Sequence, residues 1–348
     1  LDVFGFLSGH SHQLALQIEA ARSIEDLAAA ASQMNGLLAR LHRSGTRVGL
    51  IARLVQDLQA RLFERAWALL APPDLLANSC LLVMGSEGRG EQLLKTDQDN
   101  ALVLRDGYEP PADLADICAR FSEALAAFGY PPCPGQIMVS QAQWRQTQSE
   151  FAAQVRQWLL MPDAEALMKL AIFLDAQAVA GDASLLQALQ QEVRRNATHS
   201  DAMLARFASA VDAFGNSQGW WNRLLHLGDA PTAVHLKKEG IFPLVHGVRS
   251  LAFQSGLSET GTIARLDALA ARGVISAAQA SDWGQCLHFL MGLKLQAGLA
   301  ELDRDQPVSG MVDVSRLSTL ERDLLKDALA VVRHCKTFLH QHFRLDVL

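Results

Sequence analysis

Apolar residues open the chain at helical spacing. Leu27, Ala31, Met34, Leu38 and Leu41 fall at 4-3-4-3 intervals, and Val48, Ile51, Val55, Leu58 and Leu62 at 3-4-3-4. Each set lines one face of a helix. Ser44-Gly45-Thr46 between them predicts a short turn, hence an antiparallel helix pair, with a further helix before it ending near Ala21. The pattern changes after Pro72-Pro73. Leu81–Met84 is a short continuous apolar run of the kind a buried strand shows. Asn100–Leu104 predicts a second strand and Gln136–Val139 a third, with an amphipathic helix over Ala112–Phe128. From about Gln143 the spacing is helical again, with boundaries at Pro162, Gly181-Asp182, Pro231, Gly240, Gly256 and Gly273. One of these helices holds Leu167, Leu170, Ala171, Leu174 and Ala178, with Asp175 set among them. Ser276-x-x-Gln279 and Ser318-x-x-Glu321 read as capping boxes. The last helix carries Leu317, Leu320, Leu324, Ala328, Val331, Cys335 and Phe338 on one face.

These elements predict a mostly helical α+β protein. A small mixed-sheet core over 72–143 is flanked by an N-terminal helical region, 1–71, and a C-terminal helical bundle domain, 144–348. Seven of the 11 prolines lie between Pro72 and Pro134, which marks the middle as built from short elements. The 348 residues are 49% hydrophobic, enough for a sizeable core and too apolar for a disordered chain. No uncharged apolar run is long enough to span a bilayer. A net charge of −6 argues against coating nucleic acid by charge alone. Five cysteines without a CxxC fit reduced thiols in the cytoplasm. The chain opens on Leu1, which suggests a piece of a longer protein with regulatory domains upstream.

Candidate chemistry concentrates in Met84-Gly-Ser-Glu-Gly-Arg-Gly-Glu-Gln-Leu-Leu-Lys-Thr-Asp-Gln-Asp-Asn100. Gly85 and Ser86 follow a strand, with Gly88 and Gly90 close behind. Glycines there let backbone amides approach a phosphate. Asp97 and Asp99 sit two apart at the start of the next strand, so period-2 geometry turns both carboxylates to one face. Such a pair suits Mg²⁺, which keeps waters and bridges to substrate phosphates. Residues 81–160 carry 6 basic and 10 acidic groups, so the acid excess lies where a metal would need it. Together these parts are the hardware of metal-assisted phosphoryl or nucleotidyl transfer.

Gly-Ser, Arg89-Gly-Glu91 and Asp97-x-Asp99 resemble the polymerase-β-like nucleotidyltransferase superfamily. The full strings Gly85–Gln92 and Thr96–Asn100 look like one bacterial family of signal-transduction nucleotidyltransferases. Members often sit behind cyclic-nucleotide-binding and CBS-pair domains and are related to the PII uridylyltransferase. Later stretches also resemble it: Gly129–Gly135 with Met138 and Trp144-Arg145, Phe173–Asp182, and Leu236-Lys237-Lys238-x-Gly240-Ile241 with Pro243 and Arg249. The resemblance implies that Gly85 and Ser86 hold nucleotide phosphates and that Arg89 anchors the loop or its phosphate. It implies two Mg²⁺ on Asp97 and Asp99, an NTP as substrate, and a substrate-binding role for the C-terminal domain, 144–348. A third carboxylate usually joins the pair, and the expected strand, Gln136–Val139, has none. Asp175 is the best replacement. Gln177 stands where the family pattern has arginine, and His235 where it has aspartate.

Blander readings compete at several positions. Glu87 and Glu91 could be metal or base residues, with Glu91 the better candidate for a structural partner of Arg89. Lys95 is expected to be exposed, and Asp175 could serve a structural salt bridge instead of catalysis. Lys237 and Lys238 are either triphosphate contacts or cations at a helix end stopped by Gly240. Trp220-Trp221 is most simply packing, or the floor of a base pocket. Two functions follow: transfer of an NMP to a protein or small-molecule hydroxyl, or a catalytically silent nucleotide-sensing module. A homodimer through the N-terminal helices is compatible with both.

Overall fold

The computed structural model describes residues 3–197, 200–212 and 233–347, so Trp220, Trp221 and Pro231 lie outside the described residues. Two compact units emerge: Leu1–Gln157 with Ile172–Val193, and Trp158–Ala171 with Arg194–Leu348.

The first unit begins with helices α1 (Val3–Ala20), α2 (Ile24–Arg43) and α3 (Val48–Leu70), which pack on one another. Both stripes read from the sequence face inward; of their members only Val48 is less than fully buried. Ser23 starts α2 with a capping box whose reciprocal partner is Asp26. The chain continues through α4 (Pro73–Ala77), β1 (Ser79–Val83), α5 (Gly85–Gly88), β2 (Asn100–Leu104), α6 (Leu114–Ala127), β3 (Arg145–Thr147), α7 (Gln148–Leu160), α8 (Ala164–Phe173), β4 (Gln177–Gly181) and α9 (Ala183–Ala197). The sheet order is β3-β2-β1-β4. Central β1 is antiparallel to both neighbours, and β3 runs parallel to β2. Every residue of β1 and β2 is buried, which is why both read as unbroken apolar runs. An aromatic cluster joins α3 to α6: Trp67 and Phe63 meet Phe121 edge-on, with ring centroids 5.3 and 6.4 Å apart.

Two strands differ from expectation. Residues 136–139 do not form one. Asn100 accepts the Val139 amide with its side chain (2.8 Å) and donates its own amide to the Ile137 carbonyl (3.1 Å), so the segment is pinned beside β2 without a ladder. The strand in that position is Arg145–Thr147, three polar residues with no apolar alternation to reveal them. The second is β4, read as helix because Leu167–Ala178 has helical spacing. The helix ends at Phe173, and a turn carrying Asp175 leads into the strand.

The second unit holds a short two-stranded antiparallel sheet, β5 (Ala233–His235) with β6 (Met311–Asp313), and a helical bundle. Its centre is the helix Phe242–Gln254, buried continuously from Pro243 to Phe253. The helices Asp201–Ser209, Thr262–Ala271 and Thr319–Phe343 pack around it. Gly247 permits the last of these contacts, because a Cβ there would lie 2.4 Å from Leu339 Cδ1. Both expected capping boxes form, at Ser276 and Ser318. The buried stripe of the last helix is rotated from the expected one. It comprises Leu325, Ala328, Leu329, Val332, Cys335, Leu339 and Phe343, whereas Leu320 and Leu324 are exposed. Gly240 is no helix stop: it is buried inside a π-helical turn, Lys237–Ile241, that runs straight into Phe242–Gln254. Lys237 and Lys238 therefore precede a helix and do not close one. All five cysteines are buried and free. Among the described residues no helix is long and apolar enough to cross a membrane.

Gly181 and Gly107 share a left-handed backbone, φ +83° and +77°, but differ in surroundings. A Cβ on Gly181 would lie 2.1 Å from the Ser79 carbonyl oxygen, whereas one on Gly107 meets nothing within 4 Å. Both alanine variants incur the left-handed penalty. Gly181→Ala should cost about 1–3 kcal/mol beyond Gly107→Ala, through overpacking. Urea unfolding of the two variants checks this; equal losses would contradict it.

Candidate active site

The site is built where β1 ends and β2 begins. Met84 donates its amide to the Asp99 carbonyl (2.9 Å), which ties the two strand ends together. Gly85 then turns the chain into α5 with φ +57°. A Cβ at Gly85 would lie 2.7 Å from Asp99 Oδ2. Glycine is required here twice, by the backbone angle and by the carboxylate lying against it. Ser86 follows, half-buried, in the one-turn helix.

Asp97 and Asp99 precede β2 on a segment outside any strand, where Gln98 makes an isolated bridge to Pro132. Gln98 between them is fully buried and donates to the carbonyls of Ser122 and Tyr130, both at 3.1 Å. The two aspartates flank it and are partly exposed, although Asp99 Oδ1 is itself buried. Asp97 accepts from the Thr96 hydroxyl (3.0 Å), and Gln92 donates to the Asp97 carbonyl (2.9 Å). Cys133 lies against Asp99; burial first, and then the aspartate, push its thiol up to about 12.

Arg89 anchors the loop from within. It is 9% exposed, and its Nε donates to Glu91 and its Nη1 to Asp175, each at 2.6 Å. Burial opposes its charge, but the two carboxylates outweigh that and hold the guanidinium firmly protonated. Asp175 is fully buried. The carboxylate expected to join Asp97 and Asp99 is thus engaged by Arg89. Gly88 brings the two segments together, since a Cβ there would lie 2.0 Å from the Asp175 carbonyl oxygen. Gln177 occupies the start of β4 and accepts from Gln56 of α3 (3.0 Å), filling with an amide pair the place where an arginine was expected.

Two groups carry more than the sequence suggested. Glu87 is 5% exposed, and neither carboxyl oxygen has a hydrogen-bond partner among the described residues. Burial, then Asp99, then Asp97 raise its pKa well above the ordinary value. It lines a cleft of about 280 Å³ whose walls include Arg53, Gln56, Phe63 and Gln177. Lys95, expected in solvent, instead donates to the carbonyls of Ala31 (2.6 Å) and Phe128 (2.7 Å). Burial lowers its pKa to about 8. It ties α2 and the end of α6 to the segment that presents Asp97. Its long apolar stem permits this, and no periodicity signals it.

Lys237 and Lys238 are on the second unit, exposed on the π-helical turn beyond His235. Among the described residues no three or more His, Cys, Asp or Glu side chains gather as a metal-holding group. The donor set at the strand ends is the Asp97–Asp99 pair. That set fits Mg²⁺, which takes one or two carboxylates and completes its shell with water and substrate phosphates.

Comparison with known families adds two matches. Residues 32–165 match the family model described as "Putative nucleotidyltransferase DUF294", and residues 201–343 the model described as "Putative nucleotidyltransferase substrate binding domain". No curated protein matches the chain.

Arg89→Met should destabilise the protein by about 3–5 kcal/mol, because it strands two buried carboxylates. A urea midpoint close to the parent's would refute that anchoring role. Glu87 has a folded pKa above its unfolded value of about 4.5, so its contribution is fully present below pH 4.5 and lost as pH rises through the folded value. Glu87→Gln should remove that component. The stability of the variant relative to the parent should climb as pH rises above 4.5, and a flat difference would show that Glu87 is not buried as described.

Proposed function

Given that the chain belongs to the nucleotidyltransferase family matched over residues 32–165 and 201–343, we propose that it transfers an NMP from an NTP to a hydroxyl of a protein or small molecule. The observation that carries the proposal is the approach of Asp99 to Gly85, which sets an acidic pair against a glycine turn of the kind that cradles phosphate.

Gly85 and Ser86 bind the phosphate chain of the nucleotide. Arg89, held by Glu91 and Asp175, fixes the loop that carries them. Asp97 and Asp99 hold two Mg²⁺, which supply charge neutralisation and ease deprotonation of the attacking hydroxyl. The acceptor oxygen forms a bond to the α-phosphorus, the bond to the bridging oxygen breaks, and pyrophosphate leaves with that electron pair. The hydroxyl proton passes to solvent. Asp175 acts as a positioning residue through Arg89. A cytoplasmic setting fits the five buried free thiols.

One observation favours a second reading, a silent nucleotide-sensing module: Asp175 is ion-paired with Arg89, and among the described residues no third carboxylate gathers with the acidic pair as a metal-holding group. Both readings place the nucleotide at the same residues.

Incubation with α-labelled NTPs, Mg²⁺ and a cell lysate tests the proposal. Label should pass to an acceptor with pyrophosphate release, and Asp97→Asn with Asp99→Asn should reduce this at least 100-fold. Transfer that survives the double substitution would reject the assigned site. Tight NTP binding without pyrophosphate release would establish the sensing module instead.

A further inference from the structure

The cleft between α3 and β4 in the first unit takes no part in the transfer chemistry. Its volume of about 280 Å³ is at the small end of sites that take organic molecules. Part of its wall is apolar: Ala60 and Phe63 from α3, Val83 from β1 and Val179 from β4. Glu87 of α5 stands against them, 5% exposed, with neither carboxyl oxygen hydrogen-bonded among the described residues. A buried carboxyl in that state is unfavourable until a donor reaches it.

Neighbouring groups add acceptors. Gln56 turns its amide nitrogen to Gln177 (3.0 Å), which leaves its carbonyl oxygen to accept. Gly90 lets the loop after α5 close on that oxygen, since a Cβ there would lie 2.3 Å away. Asp57 engages Arg61 of its own helix through Oδ2 (2.9 Å). Of the lining residues only Arg53 is cationic, and it stands exposed. A guanidinium fits this inventory better than an ammonium. It is planar and offers paired N–H donors that match both oxygens of one carboxylate. It is also weakly hydrated, so it enters an apolar-walled cleft with less loss of water than an ammonium.

We infer that this cleft binds a small guanidinium-bearing molecule. Glu87 takes the guanidinium in a two-bond fork, and the alkyl part lies along Phe63, Val83 and Val179. The helix that carries Glu87 also carries Gly85 and Ser86, so the occupant is held by the element that forms the glycine turn. The inference does not depend on what that turn binds.

The test titrates the full chain in EDTA with butylguanidinium by calorimetry, with butylammonium as the comparison. The guanidinium should bind one to one, and the ammonium about 10- to 100-fold more weakly, as expected for loss of a charge-assisted bidentate pair. Glu87→Gln should weaken butylguanidinium binding by a similar factor while the protein keeps its thermal transition. Ala60→Leu, which narrows the cleft and leaves the carboxyl in place, should weaken it as well. Asp97→Asn with Asp99→Asn should retain binding; loss there would move the ligand to the acidic pair and overturn the site. Absence of saturable binding, equal binding by Glu87→Gln, or equal affinity for butylammonium would also overturn it. Label transfer by a protein that binds no butylguanidinium would reject this inference alone. Butylguanidinium binding that depends on Glu87 in a protein that transfers no label would leave the site standing and reject the catalytic reading alone.

Discussion

The first unit depends on one buried cation. Arg89 is nearly enclosed, and an enclosed guanidinium persists only with partners in good geometry. Glu91 is two residues away, but Asp175 is 86 residues away, so the pairing welds distant stretches of chain. That weld explains several local choices at once. Gly88 is bare because the Asp175 backbone lies against it. The helix before Asp175 stops early because the aspartate must reach inward. β4 then falls along the free edge of β1, and Gln177 meets Gln56.

Around the weld the electrostatics are deliberately uneven. Asp97 and Asp99 are only partly exposed, Glu87 is buried close by without a hydrogen-bond partner among the described residues, and Lys95 is withdrawn to the carbonyls of Ala31 and Phe128. A protein shaped only for stability would place none of these groups this way. Violations of local rules concentrate at sites that do work. Here they surround the turn that the proposed chemistry uses, while the rest of the sheet obeys simple burial.

Much of this was legible in the order of residues. The helix stripes of α2 and α3 and the two central strands follow from periodicity, because each element presents one consistent face. Glu91 as the partner of Arg89 was legible from proximity. What escaped has a common cause. β3 is polar, β4 mimics helical spacing, and the last helix offers two overlapping apolar stripes, so only tertiary contacts decide between them. Lys95 and the Asp175–Arg89 pair are likewise set by partners tens of residues away. Gly240 looked like a stop because glycine usually is one; its lack of a side chain serves close approach to Leu290 instead.

The first unit is also discontinuous. Its chain leaves after Gln157 and returns at Ile172 to supply Asp175 and the edge strand β4. The first family match ends at residue 165, ahead of both. A fragment trimmed to that match would keep every residue of the glycine turn and the acidic pair. It would nonetheless lack the second carboxylate of Arg89 and leave β1 with an open edge. The boundary visible by family likeness is therefore not the boundary of the folding unit, and dissection of this protein has to follow the ion pair.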